Sequence, residues 1–532
     1  MTTPDGMPAA SPSAPPHVAE SRDPQSGELW ASFPGATTEE VQKAVAGARR
    51  AQPAWAAQRL EERVAMLARA AAALFDRRHE VARTISRENG KPMSEALATE
   101  VVTTLDILRF YVRHAHRVLE TQHGGSDSLA LWRKRIEVSR EPYGVVGVIS
   151  PWNYPFMLPA GIIAPALVAG NAVVFKPSEL TPSSGVLLLE ILAAAGVPAD
   201  VLRLVHGDGA TGSALVSAAV DKVFFTGSVA TGRRVARACA ERLIPCALEL
   251  GGSDPALVLT DADVEHAASG ILWGRFTNSG QTCVAPKRVL VDDAVYERFV
   301  AALERRVKAL RVGGDREGGS DLGALIRPAQ QAALAALGED AVRRGARRVE
   351  GVADAAALGA GAFVPTILLD PPLDSRAMRE ESFGPLLPVV RARGVDALVS
   401  LANDSDFGLS ASVWTRDRRL GRDVARRLQA GTVVLNDVAL IAGVAEVPHG
   451  GVKLSGTGRA HGLAGLEECV RTKTLVDDIF TGWRQPWWFG YAPSSYERMD
   501  GYARLAHGRT LRQRLSGIAA TIALLFRPER PL

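Results

Sequence analysis

Several features that would restrict the class of protein are scarce or missing in this sequence of 532 residues. It has only four cysteines (Cys239, Cys246, Cys283 and Cys469), and no two of them form a CxxC pair. So few cysteines in so long a chain argue against a disulfide framework and against a structural zinc site. No metal site is therefore predicted, and the cysteine usage favours a reducing, cytoplasmic location.

The sequence also lacks a secretory signal and a membrane span. Residues 1–20 are rich in Ala, Pro and Ser without a basic or an apolar region, so they predict a disordered tail and not a signal peptide. The longest apolar run, residues 157–175, is interrupted by prolines and glycines, which indicates buried structure. The formal net charge of +4 is small for this length and gives no case for a nucleic-acid partner.

The positive charge is concentrated at the end of the chain. Residues 481–532 contain eight arginines against two glutamates and one aspartate. This extension starts with a tryptophan-rich segment, residues 483–491, and its apolar stretch 518–526 is too short to cross a bilayer. It fits a basic amphipathic element on a membrane surface or a face that packs its tryptophans on a partner subunit. The subunit interpretation is favoured.

One cysteine stands in a distinctive setting. The segment Asn278-Ser279-Gly280-Gln281-Thr282-Cys283 is a polar turn that contains a glycine. Apolar residues with helical spacing precede it at 271–276, and residues 288–292 alternate like a strand, so Cys283 is predicted at a helix-to-strand junction. A reactive thiol fits this position, whereas an ordinary free cysteine is a small buried hydrophobe.

A carboxylate lies thirty-four positions upstream of this cysteine. Ala247-Leu248-Glu249-Leu250-Gly251-Gly252 has the pattern of an apolar strand that carries one charge and breaks at two glycines. A lone charge there is unfavourable unless it has a partner or a chemical role, although an edge strand could place Glu249 in water. A thiol with a pKa of roughly 8.5 needs a base at neutral pH, and Glu249 is the candidate.

Strand patterns alternate with helical patterns along most of the chain. Thr37 is predicted to cap the first of several helices that extend to about residue 119, and residues 136–141 alternate like an exposed strand. Such alternation predicts parallel α/β sheets, whose ligands collect at the carboxyl ends of the strands. Strands are predicted at 144–150, 171–179, 223–228, 256–259, 289–291, 386–390 and 432–436, and helices at 184–195 and 231–240.

Glu249-Leu-Gly-Gly and Asn278-x-Gly-Gln-x-Cys283 together resemble the paired signatures of the aldehyde dehydrogenase superfamily. The resemblance runs from about Arg22 to about Val476 and is nearest to NAD(P)-dependent bacterial succinic-semialdehyde and general aldehyde dehydrogenases. It implies an α/β fold and a homodimer or homotetramer. The implied parts are a Rossmann-type NAD-binding domain (21–128 and 144–249), a second α/β catalytic domain (250–447), a small β oligomerisation arm (129–143 and 465–480) and the extension 481–532.

The resemblance also implies roles for single residues. Cys283 is the nucleophile that adds to the aldehyde, and Glu249 is the base that activates either the thiol or the attacking water. The side-chain amide of Asn153 forms an oxyanion hole together with the backbone N–H of Cys283. A member that passes its acyl group to coenzyme A has no need of this base, so Glu249 favours a carboxylic acid as the product.

A second group of residues is implied to bind NAD. Lys176 and Glu179 meet a ribose, the loop from Gly227 to Gly232 places helix N–H groups near the pyrophosphate, Glu381 binds the nicotinamide ribose and Phe383 lies against the nicotinamide ring. The Glu179 carboxylate would repel a 2′-phosphate, so NAD is expected and NADP is the alternative. The full set is Trp152, Lys176, Glu179, Gly227, Ser228, Gly232, Glu381 and Phe383. A GxGxxG pattern at 207–212 is interpreted as a turn at a helix start.

The aldehyde itself is not identified by the sequence. Thr282, Val284 and the loop 437–449 are mixed in character, and a succinic-semialdehyde enzyme needs a cation for the distal carboxylate, for which Arg275 and Lys453 are candidates. Two other functions stay open: a catalytically silent structural or binding protein on the same scaffold, and a membrane-recruited dehydrogenase of long-chain aldehydes. The complete set of catalytic and cofactor residues favours an active enzyme with a small-molecule aldehyde substrate.

Overall fold

The computed structural model describes residues 17–313, 317–352, 359–361, 363–438, 443–480, 485 and 487–526. The chain divides into two compact units: residues up to Val118 with Pro142–Val470, and Leu119–Glu141 with Arg471–Leu532. Residues 1–16 of the predicted disordered tail lie outside the described ranges. Strand β1 (Ala19–Arg22) begins at the end of the predicted tail and pairs antiparallel with β2 (Leu29–Phe33).

The first unit opens with the predicted series of helices. Thr37 accepts a hydrogen bond from the N–H of Glu40 at 3.2 Å, and the Glu40 carboxylate accepts one from the N–H of Thr37 at 2.8 Å. This reciprocal cap fixes the start of the first helix, as expected. The helices are α1 (Thr38–Ala56), α2 (Leu60–Asp76), α3 (Arg78–Asn89), α4 (Met93–Ala96), α5 (Thr103–His114) and α6 (His116–Leu119), with a π-helical turn at Leu97–Val102.

A six-stranded sheet follows in this unit, and it contains the predicted strands at 144–150, 171–179 and 223–228. Its order is β19 (Gly456–Thr457), β9 (Cys246–Glu249), β8 (Lys222–Thr226), β5 (Val145–Ile149), β6 (Ala172–Lys176) and β7 (Leu202–Leu204), and all neighbours are parallel except β19 with β9. Its connecting helices are α7 (Met157–Val168), α8 (Pro182–Ala194), α9 (Gly209–Ser217) and α10 (Val229–Glu241). The apolar run 157–175 is buried throughout, which confirms its predicted interior position.

The same unit contains a seven-stranded sheet, which includes the predicted strands from 256 to 436. Residues 257 and 258 contribute to apolar clusters on opposite faces of this sheet, as the alternation of side chains along a strand requires. The order is β12 (Arg347–Glu350), β13 (Thr366–Leu369), β14 (Leu386–Ala392), β11 (Pro286–Asp292), β10 (Asp254–Val258), β16 (Ser410–Trp414) and β17 (Thr432–Leu435). The helices here are α11 (Val264–Phe276), α12 (Tyr296–Ala309), α13 (Ala329–Arg343), α14 (Arg376–Arg379), α15 (Val395–Asn403) and α16 (Arg418–Arg427).

Two short strands, β15 (Phe407–Gly408) and β18 (Val452–Lys453), pair antiparallel, and helix α17 (Gly462–Glu467) precedes the end of the unit. Because both large sheets belong to one compact unit, the division into an NAD-binding and a catalytic domain stays a prediction.

The second unit contains a three-stranded sheet and a pair of helices. The sheet order is β20 (Val470–Asp478), β4 (Lys134–Pro142) and β3 (Gln122–Gly125), and β4 includes the predicted strand at 136–141. The two helices are α18 (Pro493–His507) and α19 (Leu511–Phe526). Across the described ranges, no helix is both long enough and apolar enough to cross a bilayer.

Candidate active site

Cys283 lies between helix α11 and strand β11, which confirms the predicted junction. The turn that precedes it has three consecutive residues with left-handed backbone: Asn278 (φ 52°), Ser279 (φ 53°) and Gly280 (φ 74°). A Cβ atom at position 280 would collide with the backbone of Gly384, so glycine is required there. Backbone of this kind is unfavourable for side chains other than glycine and is concentrated at functional sites.

The thiol of Cys283 is half-buried and holds its proton. Burial raises the pKa of Cys283 to about 12, and the ammonium of Lys287 offsets only part of that increase. The Lys287 ammonium donates to the Cys283 carbonyl at 2.6 Å and to the Glu381 carboxylate at 3.1 Å. Lys287 was not predicted from the sequence, although a lysine within a buried strand is itself a sign that an acceptor lies nearby. At neutral pH this thiol therefore needs a base before it can act as a nucleophile.

Glu249 ends strand β9 and is buried, so the alternative of a wet edge strand is wrong. Neither carboxylate oxygen has a hydrogen-bond partner among the described residues. The Nε2 atom of His449 lies 3.9 Å from the Oε2 atom of Glu249. Burial lowers the pKa of this histidine to about 4, so its ring is neutral at pH 7. Burial also raises the pKa of Glu249 well above its ordinary value. A carboxyl group without partners and with a raised pKa is suited to accepting a proton near neutral pH.

Asn153 follows strand β5 and contacts the cysteine turn directly. Its side-chain amide donates to the Gln281 carbonyl at 3.0 Å, and its own carbonyl accepts from the Asn278 amide at 2.8 Å. The buried ammonium of Lys91 donates to the same carbonyl at 3.0 Å. A carboxamide has two N–H bonds, so one remains for a developing oxyanion. Lys91 was not predicted, because it lies in a helical region sixty residues upstream.

The predicted cofactor residues Lys176 and Glu179 follow strand β6. The Lys176 ammonium is buried and donates to the carbonyls of Pro177 and Gly207 at 2.8 Å each, and burial lowers its pKa. Glu179 accepts from the Arg327 guanidinium at 3.1 Å and lies 3.9 Å from the Lys176 ammonium. Arg327 is a further residue of this group that was not predicted from the sequence.

Both glycine-containing loops at this sheet edge start helices. Ser228 caps α10 by accepting from the N–H of Thr231 at 3.3 Å, so the segment from Gly227 to Gly232 is a helix N-terminus, as predicted. Asp208 caps α9 by accepting from the N–H of Ala210 at 2.8 Å. The GxGxxG pattern is therefore a turn at a helix start, which confirms its interpretation.

A single cavity of about 450 Å³ brings most of the predicted site together. Residues of both large sheets and their loops contribute to its wall, and the rings of Trp152 and Phe383 meet edge to face with their centroids 5.5 Å apart. Lys176, Glu179 and Gly232 do not line it. Eight of the eleven predicted residues do, namely Trp152, Asn153, Gly227, Ser228, Glu249, Cys283, Glu381 and Phe383, and Arg327 and Gln330 are also in the wall.

The two cations considered for a distal carboxylate lie elsewhere. Arg275 is fully buried and donates to the backbone carbonyls of Leu386 and Ser382, both at 2.9 Å. Lys453 is exposed and donates to the carbonyls of Asn403 and Ser405. Neither lines the cavity of Cys283, so neither is placed to anchor a substrate carboxylate there. Arg275 instead ties the loop after Glu381 to the cysteine turn.

Comparison with known proteins identifies the family of this chain. The family model described as the aldehyde dehydrogenase family matches residues 11–475. The chain is 38% identical over 486 residues to the 4,4′-diapolycopene aldehyde oxidase of Methylomonas sp, covering 91% of this chain and 90% of the relative. It is also 38% identical over 454 residues to a betaine aldehyde dehydrogenase of Cereibacter sphaeroides, covering 85% and 92% of the two chains.

Solved structures show the same likeness. The aldehyde dehydrogenase of Mycobacterium tuberculosis complexed with NAD⁺ superposes with a TM-score of 0.82 at 34% identity, covering 88% of this chain and 95% of that one. The NADP-dependent glyceraldehyde-3-phosphate dehydrogenase of Bacillus halodurans complexed with NADP also has a TM-score of 0.82, at 37% identity, covering 87% and 96%. The chain thus has the fold of an aldehyde-oxidising enzyme, and it belongs to the aldehyde dehydrogenase family.

Proposed function

We propose that this protein oxidises an aldehyde to the carboxylic acid with NAD as the hydride acceptor, through a covalent intermediate on Cys283. The observation that carries this proposal is the single cavity that Cys283, Glu249 and Asn153 line together. Oxidation through a bound acyl group requires a nucleophile, a base and an oxyanion donor, and these three side chains supply them.

The residues act in a fixed order. Glu249 takes up the proton of the Cys283 thiol, directly or through water. The Cys283 sulfur can then bond to the aldehyde carbon and form a thiohemiacetal. The amide of Asn153 and the N–H of Cys283 stabilise the negative charge on the aldehyde oxygen. Loss of hydride from the carbon leaves a thioester. Glu249 returns its first proton to solvent and then accepts a proton from water, so that hydroxide adds to the acyl carbon. The carbon–sulfur bond then breaks to release the acid, and the proton on Glu249 returns to the sulfur to restore the thiol.

The residues at the sheet edge fit a nicotinamide dinucleotide. The N-terminus of α10, opened by Gly227 and Ser228, faces the cavity and suits a pyrophosphate. Lys176 and Glu179 would hold one ribose and Glu381 the other, while Phe383 would lie against the nicotinamide ring. When bound, the cofactor supplies the acceptor for the hydride that the carbon loses. Two solved relatives hold NAD⁺ and NADP, which supports this class of cofactor.

NAD is preferred over NADP because of the charge of Glu179. A carboxylate at the ribose accepts bonds from its hydroxyl groups and repels a 2′-phosphate. Its pairing with Arg327 at 3.1 Å occupies the cation that would otherwise be available to that phosphate.

The substrate we propose is an apolar aldehyde without a distal carboxylate. Among the described residues that line the cavity, Arg327 is the one cation, and its guanidinium is paired with Glu179. The relative from Methylomonas is named a 4,4′-diapolycopene aldehyde oxidase. The match to this relative covers 486 residues of a chain whose family match ends at residue 475. The match to the relative therefore includes part of the C-terminal extension.

The test is NADH formation with a panel of aldehydes: a long conjugated polyene aldehyde, long and short aliphatic aldehydes, an aromatic aldehyde, betaine aldehyde and succinic semialdehyde. We expect turnover with NAD, little with NADP, and the highest kcat/KM for the long apolar aldehydes. Cys283→Ala should abolish turnover. Cys246→Ala is the matched control, because Cys246 is equally half-buried and a hydrogen bond with Cys239 lowers its pKa to about 7.

Glu249→Gln separates the two roles of the base. If Glu249 activates the water, the variant should release one equivalent of NADH in a burst and retain the acyl group on Cys283, which mass spectrometry detects. A variant that gives no burst would place Glu249 at the thiol instead. Absence of NADH with every aldehyde, from folded protein that binds NAD, would favour the silent scaffold, and undiminished turnover of Cys283→Ala would refute the proposal.

A further inference from the structure

The C-terminal helices form a hairpin that buries one face and leaves another uncovered. Helices α18 and α19 pack so closely that a Cβ atom at Gly501 would collide with Ala520, and one at Gly517 would collide with the backbone of Gly501. Gly517, Thr521 and Leu524 of α19 are buried in this contact. We call these two helices the C-terminal hairpin.

An apolar stripe runs along α19 about 120° around the helix from these buried residues. Leu511, Leu515, Ile518 and Ile522 are spaced by four, three and four residues, so they fall within about 60° of one another around the helix. Each of these side chains is between 38% and 73% exposed. Large apolar side chains at helical spacing that remain uncovered mark a surface that binds something apolar.

Arginines border this apolar stripe. Arg512 and Arg514 fall on its two sides in the helical order, and Arg509 lies just before the helix. Between residues 485 and 526 the chain has five arginines and only two acids, Glu497 and Asp500. An apolar face bordered by arginines is the pattern of a helix that lies in the plane of a membrane interface.

Exposed aromatic residues precede the hairpin. Trp488, Phe489 and Tyr491 are all more than half exposed. Tryptophan and tyrosine are enriched at the level of lipid headgroups, because one end of each side chain is apolar and the other can hydrogen-bond. Trp483 of the same segment lies outside the described residues.

We propose that the C-terminal hairpin docks on an anionic lipid surface. The stripe enters the boundary between headgroups and acyl chains, and the arginines meet lipid phosphates. The hairpin lies on the bilayer and does not cross it, since no described helix has the length and hydropathy of a span. This inference does not depend on the proposed catalytic function.

Charge favours a lipid surface over a second copy of the chain. In a two-fold contact the same patch meets itself, so two surfaces with the same excess of arginine over acid would come together. This excess of like charge on both sides opposes such a contact. An anionic surface meets every arginine with the opposite charge. The partner-subunit interpretation favoured from the sequence stays the alternative occupant of this surface.

The test is co-sedimentation of the full chain with vesicles of phosphatidylcholine alone and with added phosphatidylglycerol, at low and high salt. We expect binding to the anionic vesicles that weakens with salt. Leu515→Asp with Ile518→Asp should lower the partition coefficient at least about tenfold, because two apolar side chains no longer enter the lipid. Arg512→Gln with Arg514→Gln should lower it by roughly fivefold for each arginine.

Leu243→Asp is the matched control for the apolar substitutions, because Leu243 is 93% exposed and stands alone in a turn. It should bind vesicles like the wild type. All variants should keep the wild-type melting temperature, since the altered side chains are exposed. Wild-type protein that does not sediment with anionic vesicles, or a stripe variant that binds as well as Leu243→Asp, would overturn the proposal. A lower molecular mass of the stripe variant in light scattering, together with wild-type protein that does not bind vesicles, would also overturn it. A second copy of the chain would then cover the stripe.

Discussion

The buried ion pair of Lys91 and Glu100 predicts a large and specific loss of stability. Both side chains are completely buried, and the ammonium lies 2.8 Å from one carboxylate oxygen. The other oxygen accepts from the N–H groups of Phe156 and Met157 at 3.0 and 2.9 Å. Lys91→Met removes the cation with little change in volume and leaves the carboxylate of Glu100 buried without its counter-charge. Breaking one partner of such a pair costs about 3–5 kcal/mol.

That cost converts to a measurable shift in melting temperature. An unfolding entropy of about 2.1 cal/mol/K per residue gives roughly 1.1 kcal/mol/K for the whole chain if it unfolds cooperatively. Lys91→Met should therefore lower the melting temperature by about 3–5 °C. The double variant with Glu100→Gln should lose clearly less than the single variant, because the uncompensated charge is gone. Scanning fluorimetry of the four proteins in the cycle measures both effects.

A matched surface pair provides the control. Lys43 and Glu39 form an ion pair at 3.0 Å in which both side chains are about three-quarters exposed. Such a pair is worth less than about 1 kcal/mol, so Lys43→Met should shift the melting temperature by less than about 1 °C. A shift for Lys91→Met as small as that for Lys43→Met, or a double variant as unstable as the single one, would contradict the predicted cost of the unpaired Glu100 carboxylate. Because Lys91 also holds the carbonyl of Asn153, kcat should fall in the single variant at temperatures where it is folded.

Two further predictions follow from the charges near the site. Burial raises the pKa of Asp254 from 3.8 to about 7, so its protonated form stabilises the fold below pH 3.8 and this stabilisation is lost as the pH rises to about 7. The melting temperature of Asp254→Asn relative to wild type should therefore rise between pH 5 and pH 8, and a constant difference would contradict the assigned pKa. Glu179→Ser should raise the ratio of NADP to NAD kcat/KM at least about tenfold, because it removes a negative charge and releases Arg327. An unchanged ratio would show that the ribose is bound elsewhere.

Local patterns in the sequence were sufficient to predict the positions of many helices and strands. Strands β5, β6, β8, β10 and β17 are apolar runs that end in polar or glycine residues, so their positions could be predicted from their own residues. The capping box at Thr37 and the turn before Cys283 are equally local. The short strands β7 and β12 were missed, because three or four residues of mixed character have no periodicity of their own.

The sequence by itself determined the reaction class, since the segments around Glu249 and Cys283 carry the family signatures and the elements that hold them. Tertiary structure alone decided what surrounds the two groups. The contacts of Lys91 with Asn153, of Lys287 with Glu381 and of Arg275 with Leu386 each join residues at least sixty positions apart. No local periodicity encodes such a contact, because the pairing of strands and helices brings the partners together. The same holds for the stripe on α19, whose exposure depends on which face of the helix the C-terminal hairpin buries.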